Sequence, residues 1–163
     1  INILDGEGNL DADEELMRRL DIRIAGIHSL CYTHGTKEEN TYGMVQAIRH
    51  PYIQIISHPG DGTALLDFEP IVLASKECGT LLEINNSSLK PTRNKVDARD
   101  NNREILRLCK QYEVPVILGS DAHISFDIAN YEYLYSLLQE TEFPEELIVN
   151  RCVEVFKKCL KKI

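Results

Sequence analysis

Four short aliphatic runs, rich in β-branched residues and separated by segments with apolar residues at helical spacing, restrict this chain to a narrow class of folds. Residues 22–27, 53–56, 80–84 and 114–118 are nearly continuous in apolar side chains. That is the pattern of strands buried on both faces of a parallel sheet. Between them, Met44, Val45 and Ile48 share one face of a helix predicted over 37–49, with Thr36 placed to cap it. Phe68, Ile71, Val72 and Ser75 share a face over 67–77, and Gly79 follows as the terminator. Ile105, Leu106, Cys109 and Tyr112 form the inward face over 101–112. Val153, Phe156 and Leu160 space a final helix whose last turn carries Lys157, Lys158, Lys161 and Lys162, cations suited to the negative end of its dipole. Residues 90–100 read as a long polar loop. Alternating strand–helix units of this length predict a parallel α/β domain spanning residues 1–163.

The strand ends carry the chemistry. Gly26-Ile27-His28, Ile56-Ser57-His58-Pro59-Gly60 and Gly119-Ser120-Asp121-Ala122-His123 each close an apolar run with donors used by zinc, manganese and iron. A solitary strand-end histidine is most often a hydrogen-bonded structural residue. Three strands ending alike are a different matter, because the carboxyl edge of an α/β sheet is where active sites form. His28 and His58 are 30 residues apart, and His58 and Asp121 are 63 apart, close to two such units. A barrel would gather these positions on one rim and an open sheet would spread them, so a barrel, or part of one, is expected. The chemistry they suit is metal-assisted hydrolysis.

The formal charge of −8 and a pI near 5.1 argue against a nucleic-acid surface, which needs a basic stripe. Acidity is compatible with an anionic substrate, since bound cations reverse the local field. No apolar run approaches the roughly 18 residues of a membrane span. Residues 1–5 lack the zones of a signal peptide and resemble the end of a strand, so the chain is expected to start inside a fold. Five cysteines without a Cys-x-x-Cys pair read as reduced thiols in a cytoplasmic protein. Cys78 and Cys109 fall on apolar helical faces, and Cys152 and Cys159 share one.

Together with Leu82-Glu83-Ile84-Asn85-Asn86-Ser87, the three strand-end motifs resemble those of the PHP family, the polymerase and histidinol phosphatase domain, and in particular its stand-alone phosphatases. The resemblance extends in order and spacing over nearly the whole chain. It implies a distorted (β/α)7 barrel whose trinuclear centre, usually zinc, hydrolyses small phosphorylated metabolites by attack of a metal-bound hydroxide. Carried over, His28 and His58 would hold one metal with a bridging glutamate, Asp121 a second and His123 a third, Asp121 also orienting or accepting a proton. The family's amino-terminal His-x-His motif and bridging glutamate are absent from these 163 residues. The chain therefore resembles the carboxyl-terminal two thirds of such an enzyme, lacking the N-terminal strands, with incomplete metal sites and, alone, no activity. An uncovered sheet edge would then favour homo-oligomers. Two rivals remain: a non-catalytic PHP scaffold, and a metal-dependent deacylase or deaminase of amidohydrolase type.

Several residues admit two readings. His34 would touch substrate phosphate or stand as a solvated loop histidine. Arg93 is a candidate phosphate clamp, because guanidinium pairs well with phosphate oxygens, or a plain loop arginine. Asn85 and Asn86 would position substrate or water, or cap a turn. Cys31 is a candidate soft ligand or a packed or exposed thiol. His50, before Pro51, reads as structural.

Overall fold

A computed structural model of the chain describes residues 1–93, 95 and 97–160, without the side chain of Arg93. Its strands are β1 (Asn2–Ile3), β2 (Ile24–Ile27), β3 (Ile55–Ile56), β4 (Leu81–Asn85) and β5 (Val116–Gly119). All adjacent pairs are parallel and the spatial order is β1-β2-β3-β4-β5. Among the described residues the order does not reverse, so no switch point of the doubly wound kind is seen there.

The helices are α1 (Glu14–Arg18), α2 (Lys37–Arg49), α3 (Phe68–Cys78), α4 (Ala98–Tyr112), α5 (Glu132–Glu140) and α6 (Val153–Cys159). Each of the first long helices begins where local chemistry dictates. Thr36 accepts the Glu39 N–H and Glu39 accepts the Thr36 N–H, a reciprocal capping box that starts α2. Asp67 caps α3, and Gly79 ends it at φ 67°, a left-handed conformation that costs glycine little. α4 starts earlier than the sequence pattern indicates, because Ala98 is already packed inside, shortening the polar loop. Tyr112, expected inward, is only half-buried at its end. α5, without a marked sequence signal, buries Leu134 and Leu137.

One face of the sheet presents Ala25, Ile27, Ile56, Leu82, Ile84 and Val116 to a core shared with α2, α3 and α4. On the other face Ile55 and Leu81 pack with Val149 and with Phe156 and Leu160 at the α6 end. Both faces are thus apolar at this level, which is why these strands read as continuous aliphatic runs. Cys152 is the N-cap residue of α6, its thiol donating to Glu154 at 3.0 Å, so it does not share a helical face with Cys159. Lys161 and Lys162 lie outside the described residues. His50 is structural in its contacts: its ring accepts the Tyr52 N–H at 3.3 Å.

The sheet edges correct the expectation of an open flank. Beyond β1, Asp11 Oδ1 accepts the Asn2 N–H at 2.7 Å, the Asp11 N–H donates to Asn2 O, and the Leu4 N–H donates to Asn9 O. Beyond β5, the Asn150 side chain takes both Leu118 backbone groups, at 2.9 and 3.1 Å, and Ile148 bridges to Val116. Among the described residues no helix is long and apolar enough to cross a membrane.

Candidate metal centre

The carboxyl ends of β2, β3 and β5 open into one cleft of about 410 Å3, lined among others by His28, His58, Asp121 and His123. His28 follows β2 directly. Its Nε2 faces the Nε2 of His58 at 3.2 Å, the rings meeting edge to face. His58 gets there by leaving the strand pattern. Continued alternation would send it to the helix side with Ile56, but its φ of 36° breaks the pleat.

Two carboxylates hold His58 directly, and further groups hold its neighbours. Its N–H donates to the Glu83 carboxylate at 2.8 Å, and its Nδ1 lies 3.5 Å from Asp61 Oδ2. Asp61 is buried and ion-paired with Lys95, and it accepts Thr63 N–H and Oγ1–H. The Gly60 carbonyl accepts from Asn102, buried on α4. Burial, more than the repulsion of His28 and Lys95, pushes the His58 pKa below the usual imidazole range, against the pull of Asp61 and Asp121. The neutral form, the one that ligates metal, is therefore favoured. Burial likewise pushes Glu83 above the usual carboxylate range.

Tetrahedral zinc with nitrogen ligands at about 2.0–2.1 Å places two of them roughly 3.3–3.4 Å apart, and the observed 3.2 Å between the imidazoles fits such a shared ion. An Asp61 carboxylate behind Nδ1 is the usual device for aiming Nε2 at a metal. Asp121 and His123 lie on the same cleft, but His123 Nδ1 turns to the Asp121 carbonyl at 2.9 Å. Among the described residues no three His, Cys, Asp or Glu side chains form a ready metal cluster. What is present is one facing pair and two further donors across the cleft.

The other candidates fall elsewhere. His34 lines a separate concavity of about 650 Å3 with Asp5, Glu7, Glu38, Glu39 and Tyr42. Asn85 and Asn86 are fully buried. Asn85 accepts from Ser88 N–H and Oγ–H and donates to Glu83, while Asn86 accepts the Tyr133 and Leu134 N–H groups at the start of α5. Their next neighbours, Ser87 and Ser88, line the cleft instead. Arg93 ends a short 3-10 turn, and its side chain lies outside the description. Cys31 is exposed on the cleft wall. Three residues of the site were not singled out from sequence: Glu83, Asp61 and Lys95. Glu83 did leave a signal, as the lone ionisable residue of its strand, set between Leu82 and Ile84.

No family model matches the chain. Curated proteins do. A protein of Caldicellulosiruptor bescii named "Probable phosphatase" is 45% identical over 98% of this chain and 65% of its own length. One of Acetivibrio thermocellus with the same name is 38% identical over 99% of the chain and 66% of its own. A third so named, from Clostridium novyi, is 42% identical over 92% and 61%. The chain thus spans 61–66% of the length of these relatives.

Proposed function

We propose that this chain is the larger part of a PHP-type, metal-dependent phosphoesterase acting on a small phosphorylated metabolite, its sheet being a section of a distorted (β/α)7 barrel. The observation that carries the reading is the pair of imidazoles from two strand ends, 3.2 Å apart on a cleft that also holds Asp121 and His123. The uninterrupted parallel order and the likeness to proteins named as phosphatases support it. Five free cysteines accord with a cytoplasmic setting.

In this reading His28 and His58 hold one divalent ion, with zinc preferred and manganese or iron as alternatives, and Asp121 and His123 contribute to its neighbours. Such ions, when bound, supply Lewis-acid polarisation of the phosphoryl group and neutralise its charge. The chain's own residues do the rest. Asp61 orients the His58 ring from behind. Lys95, the ammonium on the cleft wall, receives a phosphate oxygen in exchange for part of its pairing with Asp61. Asp121 accepts or orients a proton at its carboxylate.

The experiment is hydrolysis of a chromogenic phosphate ester by a protein of the relatives' length that contains these residues, before and after His58→Ala. Turnover that chelation and H58A both abolish is expected. Turnover indifferent to either would overturn the reading. The 163-residue chain alone is expected to bind zinc weakly through His28 and His58 and to show no turnover.

A further inference from the structure

Glu83 is placed where a sheet of this kind ordinarily puts a leucine or a valine. It sits in the middle of β4, the strand between those that end in His58 and Asp121, and the residues on either side of it are buried and apolar. A half-buried carboxylate in such a position costs stability unless its oxygens find donors. Two donors reach Glu83 Oε2: the backbone N–H of His58 at 2.8 Å and the side-chain amide of Asn85 at 3.2 Å. Neither partner is a cation, so the arrangement is not an ion pair that stabilises the sheet. It is a carboxylate aimed at one backbone amide, and that amide belongs to the strained residue.

We infer that Glu83 is a positioning residue: its carboxylate holds the His58 backbone in its left-handed turn and so sets the His58 ring against His28. This rests on the metal-site reading for its consequence, but not for its geometry. A second residue supports the assignment independently. A Cβ built on Gly119, the register neighbour of Asn85 on β5, would come within 1.7 Å of Glu83 Oε1 and 2.6 Å of its carboxyl carbon. Gly119 has no positive φ that would itself require glycine. Its lack of a side chain therefore leaves the space that the Glu83 carboxylate fills. The carboxylate is the mobile end of a flexible chain, so an alanine at 119 would displace it from the His58 amide without dismantling the sheet.

The geometry is read on the metal-free protein by NMR, as the nuclear Overhauser contact between the His28 and His58 rings, and its consequence by calorimetric titration with zinc. Glu83→Gln, whose amide oxygen still accepts from both donors, keeps the ring contact. Glu83→Ala and Gly119→Ala lose it while the core methyl spectrum stays native, and zinc affinity falls about 10–100-fold, the range for groups that orient a ligand. If Glu83→Ala unfolds the chain, Gly119→Ala carries the test. A ring contact and zinc affinity unchanged in Glu83→Ala or in folded Gly119→Ala would overturn the inference, as would loss of the contact in Glu83→Gln. If the wild type shows the contact, the variants lose it and no protein binds zinc, the positioning role stands and the metal reading falls.

Discussion

His58 and Asp121 each stand two residues beyond the end of a strand that flanks β4, and both adopt a left-handed backbone, at φ 36° and 51°. Both residues line the cleft. Non-glycine residues in this region cost energy and persist where surrounding structure holds them, often at functional sites. Aspartate bears the conformation more easily than histidine, because its short polar side chain bonds locally. The network around His58 is correspondingly denser: Glu83 below its amide, Asp61 behind its ring and Asn102 on the carbonyl of Gly60.

Replacing Asp121 with glycine relieves the strain at an exposed position with little packing to lose. Thermal unfolding of metal-free D121G should shift upward by about 2–4 °C, which corresponds to about 1 kcal/mol in a domain of this size. The same variant should lose activity in a protein of the relatives' length, an exchange of function for stability. A melting temperature at or below wild type would show that no strain is stored at this rim position.

The aliphatic runs made the strands legible because both sheet faces are largely buried, so polar residues such as Arg23, Gln54 and Glu83 interrupt them only singly. α2 was legible to the residue, since Thr36 and Glu39 mark its start in a way that needs no tertiary information. α5 was not: its inward residues are held by contacts made at a distance, including the Asn86 side chain that meets its first amides. The site divides in the same way. His28, His58, Asp121 and His123 were readable because each closes a strand. Lys95 was not, since its loop carries several charges and only the fold directs this one to Asp61. Asn85 and Asn86, which looked like cleft residues, are turned inward by the hydrogen bonds that shape the turn after β4.

Two half-buried groups make stability depend on pH with opposite signs. Burial holds His58 below its ordinary value of 6.5, so the folded state binds fewer protons than the unfolded chain there. Its contribution is present above pH 6.5 and is lost as pH falls toward the lowered value. Burial raises Glu83 above 4.5, so its contribution is present below that value and is lost as pH rises through the raised one. Denaturant unfolding of metal-free protein should therefore show Glu83→Gln more stable than wild type at pH 7.5, with the gain shrinking toward pH 4. His58→Gln should flatten the wild-type loss between pH 7.5 and 5.5. A Glu83→Gln gain that grows in acid would reverse the assigned sign.

The five thiols should separate by reactivity. Cys109 is fully buried on α4 and its pKa is pushed up to about 12 by that burial, which leaves almost no thiolate at neutral pH. Cys31 is exposed on the cleft wall. Alkylation of native protein at pH 7.5, mapped by mass spectrometry, should modify Cys31 early and Cys109 only after denaturation. Early modification of Cys109 would mean that α4 opens locally far more often than its packing indicates.

Both edges of the sheet are closed in part by side chains. Asp11 accepts the outward N–H of Asn2, and Asn150 takes the N–H and carbonyl of Leu118. Free backbone groups on an edge strand are templates for pairing with another chain, and occupying them removes the template. Asp11→Ala and Asn150→Ala each uncover part of one edge while touching no buried apolar side chain. The double variant should stay folded and self-associate more strongly than wild type, seen as a concentration-dependent rise in sedimentation coefficient. Asp11→Asn keeps an oxygen acceptor for the Asn2 N–H and should sediment as the wild type does. Association equal in wild type and double variant would place the contact between copies somewhere other than these edges.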